Sequence, residues 1–83
     1  METIALRRTA RVPDRRRRAL EAAGWRTWLS YQENHLRDAD GRMVGVQPQW
    51  MAELEHLDGT AFAVSASSPA AAWFAAEQWI RSA

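Results

Sequence analysis

Arginines, tryptophans and a few carboxylates are the residues with chemical reach in this chain. Arg15, Arg16, Arg17 and Arg18 are consecutive, and Arg7, Arg8 and Arg11 precede them. A guanidinium donates in a planar fork that matches carboxylate or phosphate, so such a run is a recognition device before it is a catalytic one. Pro13-Asp14 opens a short helix with Asp14 as N-cap and Gly24 as its stop, which puts the run in the first turn. The helix dipole favours acids there, and each misplaced cation costs about 0.3–1 kcal/mol at low salt. Something anionic offsets this: the acidic remainder of the chain, a partner protein, or nucleic acid phosphate. A solvated cluster enriched by codon usage is the plainer alternative.

Bond-making chemistry finds no local support. The four glycines are isolated, so phosphate-loop and dinucleotide fingerprints are absent. No serine lies in a G-x-S-x-G elbow. His35 and His56 are far apart and lack a metal-binding partner at i+4, and His56 reads as a solvated residue on the polar side of a helix. Asp38-x-Asp40-Gly41 matches half of a calcium loop. Setting Gly41 sixth, however, puts Leu36 first and Gln47 twelfth, where acids are needed. A turn fits better. Glu53 and Glu55 lie two apart on an expected helix, where side chains diverge. No catalytic residue, metal site or cofactor is expected, and the chain does not read as an enzyme.

The elements that must position these residues are bounded by composition. Eighty-three residues make one small domain, 1–83, with no cysteine for disulfides or thiolate zinc sites. Trp25, Trp28, Trp50, Trp73 and Trp79 are the natural substitute, each able to bury roughly 200 Å². No run approaches a membrane span and no secretory signal is evident, so a cytoplasmic location is expected and no membrane partner. All eleven basic residues are arginine, a bias that fits a GC-rich bacterial or phage genome. Residues 1–20 hold seven arginines against Glu2 and Asp14. Residues 21–83 hold four arginines against eight acids. A basic leader is joined to an acidic body.

Residues 3–12 alternate like a strand apart from Arg8, so residues 1–12 read as an edge strand or a flexible basic arm. Trp25 to about Leu36 is a strand, with Trp25, Leu29 and Tyr31 on one face and Arg26, Trp28, Ser30 and Gln32 on the other. Asp38–Gly41 is a turn, and 42–46 returns as a second strand of a hairpin. From Pro48 a helical stripe of Trp50, Met51, Leu54 and Leu57 predicts a helix ending at Gly59. A hairpin through Asp58-Gly59 competes, but pairing Glu55 with Phe62 and Glu53 with Val64 mixes the faces. Residues 60–66 alternate as a strand. Ser68-Pro69 then starts a last helix to about Arg81, with Ala72, Trp73, Ala76, Trp79 and Ile80 on its apolar arc and Phe74 outside it.

The expected fold is therefore α+β: a small, mainly antiparallel sheet of three or four short strands, packed against two or three helices and ending in a C-terminal helix. The expected function is a non-enzymatic protein-binding module, with Arg15, Arg16, Arg17, Arg18, Trp28 and Phe74 meeting a host or cognate protein complex. Size, composition and the lack of catalytic motifs give it the general format of phage or mobile-element inhibitors, such as those that block CRISPR effector complexes. The alternative is a nucleic-acid-binding accessory factor with Arg7, Arg8 and Arg11 as further phosphate contacts and Trp28 as a stacking platform. A homodimer through exposed aromatics fits either reading.

Overall fold

The computed structural model describes the backbone of residues 2–82 and the side chains of residues 11–82. The elements run β1 (Glu2–Ala10), α1 (Arg15–Ala22), β2 (Trp25–Arg37), β3 (Met43–His56), β4 (Ala61–Ala66) and α2 (Pro69–Ser82). The strands form one antiparallel sheet in the order β1-β2-β3-β4. The α+β class and the C-terminal helix stand as expected, with two helices. Of the two options for the leader, the edge strand is the one formed: Ala10 pairs with Leu29 and Glu2 with Arg37.

The expected helix at 48–58 is replaced by strand. β3 runs uninterrupted through Pro48 to His56, so β2 and β3 are long rather than short. The reason lies in the turn that follows. The His56 amide donates to the Thr60 carbonyl at 2.8 Å, and the Gly59 amide to the His56 carbonyl at 2.9 Å. Leu57, Asp58 and Gly59 therefore form a three-residue loop closed by His56 and Thr60, with Gly59 at φ +95°. This is a type I turn followed by a left-handed residue. A two-residue Asp-Gly turn closed by Leu57 would shift the register by one and exchange the faces. With the longer loop Leu54 meets Phe62 and Ala52 meets Val64, and nothing is mixed.

Each rung of the sheet now has a consistent side. Thr27, Leu54 and Phe62 form one rung on the helix side, Leu29, Ala52 and Val64 the next, and Tyr31, Trp50 and Ala66 a third. Leu20 from α1 and Ala72, Trp73 and Ala76 from α2 close over Leu29, Ala52 and Leu54 to make the buried core. Trp73 is fully buried, and the Phe62 ring stacks on Trp79 at 3.8 Å. Ser68 caps α2 by accepting from the Ala71 amide at 3.1 Å. His56 is not a solvated helix residue. It sits at the sheet end, edge-on to Trp25 at 4.8 Å, with Nε2 3.3 Å from the Ala23 carbonyl.

The molecule measures 49 × 23 × 18 Å with a radius of gyration of 15.0 Å, against about 12 Å for a compact chain of this length. The length comes from the β2–β3 hairpin, whose far half extends beyond the helices and exposes Met43, Val44 and Val46. No helix of the described residues is long and apolar enough to cross a membrane.

Candidate functional site

In α1 the carboxylate of Asp14 accepts from the amides of Arg16 at 2.8 Å and Arg17 at 3.2 Å, and no acid occupies the first turn. The cap puts one carboxylate at the end of the helix where the four cations stand. Helical geometry then sorts them. Arg17 lies one turn before Leu20, and these two are the buried residues of the helix. Arg15, Arg16 and Arg18 remain exposed.

Arg17 is thus withdrawn from the expected binding set. It is 4% exposed. Its Nε donates to Thr27 Oγ1 at 2.9 Å, its Nη2 to the Thr27 carbonyl at 3.3 Å, and its guanidinium lies 4.9 Å from the Trp73 ring. Thr27 Oγ1 in turn donates to Glu21 Oε2 at 3.0 Å, and Arg11 approaches the same carboxylate at 3.7 Å. Burial lowers the Arg17 pKa from its ordinary value, the nearby Arg11 lowers it further, and Glu21 opposes both. Arg17 ties α1 to β2 and α2, and its cation is held inside rather than offered to a partner.

Arg16 and Phe74 come together where α1 crosses α2. The guanidinium lies over the ring at 5.4 Å, within cation–π range. Phe74 is 48% exposed, as its place outside the apolar arc implies. Glu77 stands between Arg16, at 3.9 Å, and Arg81, at 3.7 Å. Arg15 and Arg18 are exposed on α1. Arg7 and Arg8 fall in β1 opposite Gln32 and Tyr31, and their side chains lie outside the described residues. Arg11 is exposed beside Glu21.

Trp28 occupies the other side of the sheet, which no helix covers, so it does not join the arginine patch. It is 45% exposed, with Arg26 at 5.9 Å from its ring and Arg26 Nη2 bonded to Glu55 Oε1 at 2.5 Å. The rungs on this face read Arg26, Glu55, Ala61, then Trp28, Glu53, Ala63, then Ser30, Met51, Ser65. A groove of about 330 Å³ runs between Trp28 and the small β4 side chains, with Glu53 and Glu55 in its wall. A second notch of about 370 Å³ is lined by Asn34, Gln47, Gln49 and Ser65 where β4 ends. Sequence reasoning missed both surfaces because it placed the segment from Pro48 to Asp58, which lines part of each, on a helix. The signal was present: Trp50, Ala52, Leu54 and His56 alternate with Met51, Glu53 and Glu55.

The Asp38 turn forms as expected, its carboxylate accepting from the amides of Asp40 at 2.9 Å and Arg42 at 3.0 Å. Glu33 bridges Tyr31, whose hydroxyl donates at 2.7 Å, and His35. Among the described residues no group of three or more histidines and carboxylates is arranged to hold a metal ion. No family model matches the chain, and neither a curated protein nor a solved structure is significantly similar to it.

Proposed function

We propose that this chain is a non-enzymatic protein-binding module acting in the cytoplasm, of the kind by which phages and mobile elements inhibit or retune host machinery through direct contact, inhibitors of CRISPR effector complexes included. The observation that carries the reading is Arg16 lying over half-exposed Phe74. An exposed aromatic ring braced by a guanidinium combines residue types that interface hot spots favour. Neither belongs to the buried core, which is made by Trp73, Leu54, Leu29 and their neighbours. Mixed charge around the ring suits an acidic, partly apolar protein surface, where it would guide encounter and orientation.

The test is capture from a GC-rich bacterial lysate with tagged wild type and Phe74→Ala, with and without nuclease, read by mass spectrometry. A stoichiometric protein retained after nuclease by the wild type and lost by Phe74→Ala, whose melting temperature stays nearly unchanged, is the expected result. Capture that vanishes with nuclease would transfer the function to nucleic acid, with Arg11, Arg15, Arg16 and Arg18 as the phosphate-facing set and a steep salt dependence.

A further inference from the structure

The sheet has more apolar face than its helices cover, and the uncovered part fits a second copy of the chain. We propose that two molecules associate through the helix-side faces of their β2–β3 arms, antiparallel about a two-fold axis near the His35–Val46 rung. The Arg16–Phe74 patch lies on the helices, outside this contact, so the dimer stands or falls apart from the protein-binding reading.

Ala66 pairs with Trp50, and the chain leaves the sheet there for α2. Beyond that rung β2 and β3 continue to the Asp38 turn with no helix above them. By alternation from Tyr31 and Trp50, the pairs Glu33–Pro48, His35–Val46 and Arg37–Met43 carry on the helix-side face. Met43, Val44 and Val46, three of the large apolar side chains exposed among the described residues, all fall in this stretch. β3 has no charged residue from Met43 to Ala52. An apolar sheet face is buried against a second layer, and the chain supplies that layer for only one end of its sheet.

The shape of the bare face selects its occupant. It runs about 24 Å from the Tyr31–Trp50 rung to Asp38, at about 3.4 Å per residue, and it stops at the step made by the helices. That step is one helix thick, about 10 Å, and sheets packed face to face are also about 10 Å apart. The arm of a second copy therefore sits on the ledge as a continuation of the helix layer. A two-fold axis puts each arm on the other's ledge at once, so the whole pair has two layers. Sheets packed in this way cross at about 30°. β3 then lies over β3, and the two uncharged rows meet. Glu33, held by Tyr31 and His35, faces Arg37, held by the Gly41 carbonyl, so no like charges are brought together.

Area sets the strength. Three strands at about 4.8 Å make a ledge about 14 Å wide, so each copy contributes about 350 Å² in projection. That is the small end of specific interfaces, and the dissociation constant belongs in the high micromolar range. The dilute chain keeps its arm solvated, and its far rungs open locally. Nucleic acid phosphate or a strongly charged peptide finds no counter-charge along the β3 row.

The test is sedimentation equilibrium of the full chain from micromolar to millimolar concentration. Expected is a monomer–dimer equilibrium that Val46→Asp, at an exposed site, weakens at least about tenfold, with the melting temperature of the dilute chain nearly unchanged. The chain has no cysteine, so Val46→Cys sets a single thiol beside the axis, and a short bis-maleimide should join two copies of it. Leu57→Cys, at the opposite end of the sheet, and Ala63→Cys, on β4, should not be joined. Amide shifts that grow with concentration should map to residues 33–37 and 43–48. A chain still monomeric at millimolar concentration would overturn the proposal. So would a dimer untouched by Val46→Asp, or one joined through Ala63→Cys. Arm shifts that appear only on adding a captured lysate protein, without self-association, would give the face to that partner instead.

Discussion

At the scale of single residues, Arg17 separates from its neighbours because its side chain is inside the fold while theirs are not. Arg17→Ala removes a buried charged donor from Thr27 Oγ1 and the Thr27 carbonyl, a loss of about 2–4 kcal/mol. Arg15→Ala and Arg18→Ala delete cations from the unfavourable end of a helix dipole and should change stability by less than about 0.5 kcal/mol, in the stabilising direction. Urea denaturation of the three variants reads this directly, and equal effects would mean that Arg17 is as solvated as the others. Asp58 gives a pH-dependent counterpart. The Thr60 amide, donating at 2.8 Å, holds its carboxylate below the ordinary range, with the Thr60 hydroxyl and His56 assisting. A folded pKa below the unfolded one stabilises above about pH 4 and stops doing so as the pH falls through the folded value. The melting-temperature gap between wild type and Asp58→Asn should therefore close on acidification; a constant gap would show that the charge is not what the turn uses. Phe74 was legible as an exposed ring from its place on the last helix. Arg17 was not, although Leu20 one turn later marks the buried side, because a run of like charges reads as solvated until one member is needed as a strut.

At the scale of elements, the hairpin joining β3 and β4 depends on which residues close its loop. His56 and Thr60 do so, and Leu57, 84% exposed, is the spare residue between them. Deleting Leu57 leaves Asp58-Gly59 as a two-residue turn between the same closing pair, so the register of β4 is kept. That variant should fold with a stability change of less than about 1 kcal/mol, since a two-residue turn is the commonest hairpin connection. Deleting Glu55 shortens the chain equally but moves Leu54 out of its rung with Phe62 and turns Ala52 from the core. The cost should match loss of a buried leucine, about 2–5 kcal/mol. Thermal unfolding of the two deletions decides the matter, and similar losses would contradict the register. The same loop explains what could be read in advance. Asp14, Asp38–Gly41 and Ser68-Pro69 carry their signals within a few residues, and all three form as read. The segment 48–58 fits a helical stripe because Met51 is apolar yet sits on the open face. A one-residue difference in turn length decided between two assignments that local pattern left nearly balanced.

At the scale of the whole molecule, the helices cover one end of a sheet that is longer than they are. α2 has 14 residues and α1 has 8. At 1.5 Å per residue they span about 21 Å and 12 Å, well short of the 49 Å long axis. Stability must be graded along the β2–β3 hairpin in consequence. Amides near Thr27, Leu29, Ala52 and Leu54 lie under Trp73 and the other core side chains and open only with the whole fold. Those near Asn34–Arg37 and Met43–Val46 belong to rungs with exposed apolar side chains and no helix above them, so they open locally at lower free energy. Hydrogen exchange followed by NMR should show protection falling steadily from the helix-covered end toward the Asp38 turn. The far rungs should exchange at least about tenfold faster than the central ones, a gap of only 1.4 kcal/mol. Uniform protection along both strands would mean that something covers the far half in solution, and the extended arm would then be an interface rather than a solvated extension.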